Sequence, residues 1–234
     1  VKIGKEFSVE FDIEKTAGRA PNKAKVLVYG LNETTRGQVE NSRRSSVVVR
    51  AGYGEQPSSI FVGNIRKAST VRSGSELALT IEADDGGSGF IEARINQGLP
   101  PGSSVRDAIS ACVDAMGIGR GNLSQIADDD LEGGEFNYRQ GGVLSGQAST
   151  VLNGIVRSLD FRWSIQDGSL QMLRRGRPLQ TTAIHLGPKT GMISDPEPTT
   201  GERIKLTSLM IPDVYPGRQV FVDSKRTSGV YRIT

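Results

Sequence analysis

Apolar and polar residues alternate at the start of the chain, where Phe7, Val9, Phe11 and Ile13 interleave with Ser8, Glu10 and Asp12. A period of two puts one set of side chains on one face of a β-strand. The turn-rich segment 16-TAGRAPNK-23 follows, and then 24-AKVLVYGL-31, which reads as a strand covered on both faces. In 32-NETTRGQVEN-41 the pattern fits a short helix or a polar loop, with Asn32 placed to cap the first turn. Further strands are marked by Val47 and Val49, by Ile60, Val62 and Ile65, and by Leu77, Leu79 and Ile81. The segment 73-SGSE-76 predicts a hairpin turn, and 83-ADDGGSGF-90 closes the region. Short strands at this spacing predict a β-barrel or sandwich over residues 1–92.

The period lengthens over residues 93–178. Ser104 is placed to cap a helix, with Asp107 at the reciprocal position. Val105, Ala108, Ile109, Cys112 and Met116 then share one helical face, and Gly117 is a stop. A second helix is predicted from Ser149 through Leu159. Phe161, Trp163 and Ile165 alternate directly after it, Asp167-Gly168 makes a hairpin turn, and Leu170 and Met172 lie on the return strand. This is a small helix–helix–hairpin unit in which Trp163 belongs to the core. Residues 179–234 return to strands at 183-AIHL-186, 204-IKLTSLMI-211, 219-QVFV-222 and 229-GVYRI-233, around the proline-rich loop 192-MISDPEPTTGE-202. The expected organisation is β, α+β, β. The last β domain is expected to be incomplete, because the chain starts at Val1 and stops at Thr234 within a strand-like pattern.

Composition narrows the functional classes. Only 36% of residues are apolar while glycine is abundant at 29, a balance that suits many strands and turns. The 29 lysines and arginines nearly cancel the 26 acids, which argues against a strongly basic nucleic-acid binder. A single cysteine, Cys112, excludes an intrachain disulfide. No apolar run reaches the roughly 18 residues of a spanning helix.

Candidate chemistry is sparse. Gly52-Tyr53-Gly54 is followed by the anion Glu55 and lacks the Gly-Lys-Ser/Thr of a phosphate loop, so it reads as a turn at a strand end. The segment 117-GIGRGN-122 follows a helix, the wrong order for a dinucleotide site. One histidine, His185, in a strand pattern, and one cysteine elsewhere leave too few nitrogen and sulfur ligands for zinc. Cys112 lies on an apolar helix face and is expected to be an inert core thiol. Asp128, Asp129 and Asp130 lack the spacing of a calcium loop and read as a solvated acidic loop. Arg174, Arg175 and Arg177 are placed to meet phosphate or an acidic neighbour, without the aromatics of a single-strand binder. The expectation is therefore no enzyme, with no catalytic, cofactor-binding or metal-binding residue and no cofactor.

The ordered set 22-NKAKVLVYGLNETTR-36, 47-VVVRAGYGE-55, 60-IFVGNIRKASTVRSG-74 and 77-LALTIEADDG-86 resembles the baseplate hub proteins of tailed bacteriophages. The likeness is concentrated in residues 5–90 and extends into the helix–helix–hairpin unit. It implies a mainly β chain with an α+β insert: a tail-tube-like β-barrel domain over 1–92, an α+β domain over 93–178, and a second, incomplete barrel over 179–234. It implies a structural virion protein at the tail tip, assembled in the host cytoplasm. Such a hub is a homotrimer that joins the tail tube protein to the central spike protein. It frames a channel for the tape-measure protein and for DNA, which passes without sequence readout and without membrane insertion of the hub. Two other classes compete. A ring-forming subunit of a secretin-type envelope channel is suggested by the helix–strand–strand element 149-STVLNGIVRSLDFRWSIQDGSLQML-173. A glycan-cleaving tail enzyme would need a carboxylate pair that the dispersed acids do not nominate.

Overall fold

The computed structural model of the chain describes residues 1–73, 76–132, 134, 136, 138–179 and 181–234. It divides into two compact units, one of residues 1–49 and 61–175 and one of residues 50–60 and 176–234.

The first unit begins with β1 (Val9–Glu14), β2 (Lys23–Tyr29), α1 (Glu33–Glu40), β3 (Ser46–Ala51), the 16-residue β4 (Ser58–Ser73) and β5 (Glu76–Asp84). These strands form one sheet in the order β1-β2-β5-β4-β3. The sheet curls into a half-barrel and keeps β1 and β3 as its edges. Register decides its faces. Val26 pairs with Ile81 and Phe11, Val28 with Leu79 and Val9, and Ala24 with Ala83 and Ile13, so the apolar positions line up across three strands. On the other face Asp12, Lys25, Glu82 and Lys67 form an exposed row of alternating charge across four strands. Strand β2 is therefore buried on one face only, not on both: Lys23 and Lys25 are exposed while Ala24, Val26 and Val28 are buried. In β4 the fully buried residue is Phe61 rather than Ile60 or Val62. A register shift between Ile65 and Lys67 re-aims the rest of that strand. The expected turn at 73-SGSE-76 involves residues 74 and 75, which lie outside the described residues; β4 and β5 remain paired up to Ser73 and Glu76.

Asn32 caps α1, its side-chain oxygen accepting from the Thr35 N–H at 2.8 Å. Val39 is buried against Val26, Val28 and Leu79 on the sheet's apolar face. At the helix end, Glu40 accepts from the Thr70 N–H at 2.6 Å and from its hydroxyl at 2.7 Å, which fastens α1 to β4.

The rest of the first unit contains α2 (Gly87–Glu92), β6 (Arg94–Leu99), α3 (Val105–Met116), β7 (Gly142–Gln147), α4 (Ala148–Ser158), β8 (Phe161–Gln166) and β9 (Ser169–Arg174). The capping box of Ser104 and Asp107 is formed, and Gly117 ends α3 at φ 68°. Asp167 and Gly168 turn the β8–β9 hairpin at φ 52° and 75°. Ile109, Val113, Leu152, Ile155, Val156, Trp163 and Met172 pack into one large core. The antiparallel pair β6–β7 and helix α2 have no counterpart in the sequence pattern. The pair carries few apolar anchors, Ile95, Leu99 and Leu144, among Gly, Asn, Gln and Ser, so its alternation is too weak to register.

The second unit contains β10 (Ile184–Leu186), β11 (Glu197–Pro198), β12 (Ile204–Lys205), β13 (Gln219–Asp223) and β14 (Ser228–Arg232). Strands β10, β13 and β14 form a sheet in that order, with β10 parallel to β13, over a core of Leu186, Val220 and Val222. The apolar run 204–211 is a strand only at Ile204 and Lys205. Beyond them the backbone bonds locally, Ile193 N–H to Thr207 O at 2.8 Å and Leu209 N–H to Gly191 O at 2.7 Å. Residues 50–60, read in the sequence with the first barrel, pack with this unit, where the Tyr53 hydroxyl accepts from the Met210 N–H at 3.2 Å.

Candidate functional site

The residues singled out for chemistry are scattered, and most already have structural partners. Gly52 and Gly54 lie between the end of β3 and the start of β4, in a bend. The 117–122 segment folds against the β8–β9 hairpin: Gly119 N–H donates to Gly168 O at 2.8 Å, and Leu170 N–H donates to Gly119 O at 2.8 Å. Gly121, at φ 51°, lies so close to Leu170 that a Cβ would fall 1.6 Å from its carbonyl oxygen. Cys112 is wholly buried, and burial pushes its thiol up to about 11, far from a nucleophile's range.

The acids and arginines pair with one another. Arg106 donates to Asp128 at 2.7 Å and to the carbonyls of Leu123 and Ile126. Arg174 meets Asp130 at 2.5 Å, and Arg175 meets Asp160 at 3.0 Å. A cleft of about 250 Å³ at the start of α3 is lined by Ser104, Arg106, Asp128, Leu131, Tyr138 and Arg139 among others, and the Arg106 guanidinium is already held by these bonds. In the second unit His185 stacks on Phe221, with ring centroids 5.6 Å apart, on the solvent side of the sheet. Among the described residues, no group of three His, Cys, Asp or Glu could hold a metal ion.

Two features remain, and neither was found in the sequence. The first is the free edge β1. Val9 and Phe11 share the sheet's apolar face yet are 42% and 43% exposed, while Glu10, Asp12 and Glu14 project from the other face. An edge strand with a half-open apolar face is a surface built to be paired or covered.

The second is a buried polar joint between the half-barrel and the β8–β9 hairpin. Asn22 donates its N–H to Asp85 Oδ1 at 2.8 Å, and its amide donates to Asp85 Oδ2 at 2.8 Å, to Ile165 O at 3.0 Å and to Gln166 Oε1 at 2.9 Å. The Asp167 N–H donates to Asp85 Oδ2 at 3.1 Å. The Asp167 carboxylate is gripped by Lys15 at 2.7 Å and accepts from the Val62 N–H at 3.0 Å. Gly86 lets the two parts close: a Cβ there would lie 2.8 Å from Ile165 and 2.9 Å from Pro21. Asp85 is 2% exposed, and burial pushes its carboxyl up to about 6, against the lowering effect of the N–H donors from Asn22 and Asp167. The contributing residues come from positions as distant as 15 and 167, so no local motif announces them.

The site thus described is one of packing and pairing. No protein-family model and no curated protein sequence matches the chain. In structure the chain is similar to the tail protein from Neisseria meningitidis MC58, at 12% identity and a TM-score of 0.50, over 94% of this chain and 67% of that one. It is also similar to the 43 kDa tail protein of prophage MuSo2 from Shewanella oneidensis, at 10% identity and a TM-score of 0.48, over 96% of this chain and 71% of that one. The first likeness establishes a shared fold, a mainly β chain with a few helices and a curled sheet.

Proposed function

We propose that this chain is a structural protein of a phage-type tail, located in the virion at the tail tip, and that it is the baseplate hub. The observation that carries the reading is the fold likeness to a tail protein across 94% of the chain. The open half-barrel supports it, because β1 and β3 are left as sheet edges that a ring of copies would pair or cover. In this reading three copies close a ring, each contributing two tube-like β domains. The ring joins the tail tube protein to the central spike protein and encloses a channel for the tape-measure protein and DNA. DNA passes without base contacts, because the channel must admit any sequence. The hub performs no catalysis, takes no cofactor and does not insert into a membrane. Among the described residues, no helix is long and apolar enough to cross one.

A reconstruction of the intact particle tests this. Three copies between tube and spike are expected. Finding the chain on the capsid surface, or as six equivalent copies without a three-fold arrangement, would overturn the hub assignment.

A further inference from the structure

We propose that the two free edges of the half-barrel sheet are coded by charge for head-to-tail pairing, so that β1 of one copy adds to β3 of the next copy. The inference rests on the reading that copies of this chain close a ring, and it names the strands and charges that close it. The backbone of β1 is open for pairing. The Tyr29 N–H donates to Ser8 O at 2.9 Å, so along the antiparallel ladder Ser8, Glu10, Asp12 and Glu14 turn their peptide groups toward β2. Val9, Phe11 and Ile13 turn theirs to the open side. From Glu6 to Glu14 the chain contains four acids and no base. Glu10, Asp12 and Glu14 are exposed together on one face of the strand. The opposite edge carries the opposite sign: from Arg43 to Arg50 the chain contains three arginines and no acid, and all three arginines are exposed. Arg44 reaches Glu92 at 3.7 Å, with both side chains mostly in solvent.

Charge then selects the partner strand. Within the sheet the row Asp12, Lys25, Glu82, Lys67 alternates in sign, so Asp12 has Lys25 on its β2 side and calls for a base or a neutral residue on its open side. Two copies joined β1 to β1 would set Glu10, Asp12 and Glu14 against the same three acids, and joining β3 to β3 would gather the arginines. Both two-fold arrangements are disfavoured, whereas β1 against β3 brings opposite signs together. The faces agree as well. Val47 and Val49 pack toward the apolar core, so Ser46, Val48 and Arg50 share the other face of β3. Aligning the apolar faces sets Val9 and Phe11 beside Val47 and Val49 of the next copy, and sets the β1 acids beside Ser46, Val48 and Arg50. A contact between two different edges is heterologous, and repeated around a closing rotation it gives a ring instead of a two-fold dimer.

Charge reversal in assembled tail particles tests it. Glu10→Lys with Asp12→Lys and Glu14→Lys, or Arg43→Glu with Arg44→Glu and Arg50→Glu, is expected to cut incorporation of the chain at least about tenfold. Both sets in one chain are expected to restore it to near the wild-type level. Wild-type incorporation of either single set, or no rescue by a folded chain carrying both, overturns the pairing. Should the combined variant fail to fold, a crosslink decides instead. Asp12→Cys and Val48→Cys in one chain, treated in particles with a short bis-maleimide, are expected to give covalent multimers of this chain alone, and Asp12→Cys by itself none; the buried Cys112 does not compete. Dimers from Asp12→Cys by itself, a crosslink to a different tail protein, or no crosslink overturns the pairing. The hub reading fails separately. Three copies between tube and spike with β1 paired elsewhere would keep the hub and sink the pairing, and closed multimers of another copy number would keep the pairing and sink the hub.

Discussion

Trp163→Ala would remove the largest side chain from the core that joins the two long helices to the β8–β9 hairpin. Trp163 is 2% exposed, its ring lies 5.9 Å from that of Phe90, and it packs in one cluster with Leu152, Ile155 and Met172. Truncating a buried tryptophan to alanine costs about 3–5 kcal/mol, from lost transfer free energy and from the cavity left behind. A second effect runs the other way. The Trp163 Nε1 is buried without a hydrogen-bond acceptor among the described residues, and an unmet donor of that kind costs about 1–3 kcal/mol. Trp163→Phe discards the unmet donor together with one ring, so its loss is expected to be well below that of the alanine variant. Urea unfolding followed by far-UV circular dichroism reads both variants without needing the indole. The expected order of midpoints is wild type and Trp163→Phe close together, with Trp163→Ala far below. Equal midpoints for wild type and Trp163→Ala would refute the reasoning, as would quencher-accessible, red-shifted tryptophan emission from the native protein.

Ser104→Ala breaks the capping box of α3 and is expected to cost about 1 kcal/mol, read in the same urea titration. The Asp107 carboxyl is held below its usual range by the Ser104 N–H and hydroxyl, so its support for that helix is present at neutral pH and lost as pH falls through its lowered pKa; acid titration of Asp107→Asn should lack this step, and Ser104→Ala, which keeps the backbone donor, should show a smaller one. Cys112 should react with a thiol reagent only on unfolding, so labelling at pH 8 that is as fast as in denaturant would contradict its burial. Phe11→Lys places a charge on the free edge, at a position already 43% exposed. It should leave the stability of the isolated chain within about 0.5 kcal/mol while blocking ring assembly; assembly of the variant at wild-type yield would remove β1 from the proposed interface.

The sequence by itself determined the elements whose signals are local. The Asn32 cap, the Ser104–Asp107 box, the Gly117 stop and the Asp167-Gly168 turn each depend on residues within a few positions of one another, and all four are present. The apolar faces of α3 and α4 and the core position of Trp163 were legible for the same reason, because helical and strand periods fix which side chains share a face. Tertiary structure decided the rest. Lys23 and Lys25 make β2 one-sided, and the close approach of Gly63 to Asp84 accompanies a long bent β4 with Phe61 inside it. The weak pair β6–β7 forms because the helices supply the surface that Ile95, Leu99 and Leu144 bury against. The Asp85 joint collects residues from four separate segments, and only chain packing can bring a carboxylate, an amide and a hairpin turn together away from water. A charge pattern read along the chain shows Asp84 and Asp85 as two adjacent acids; burial and partners make one of them a neighbour of Arg66 and the other a carboxyl that burial pushes upward among N–H donors.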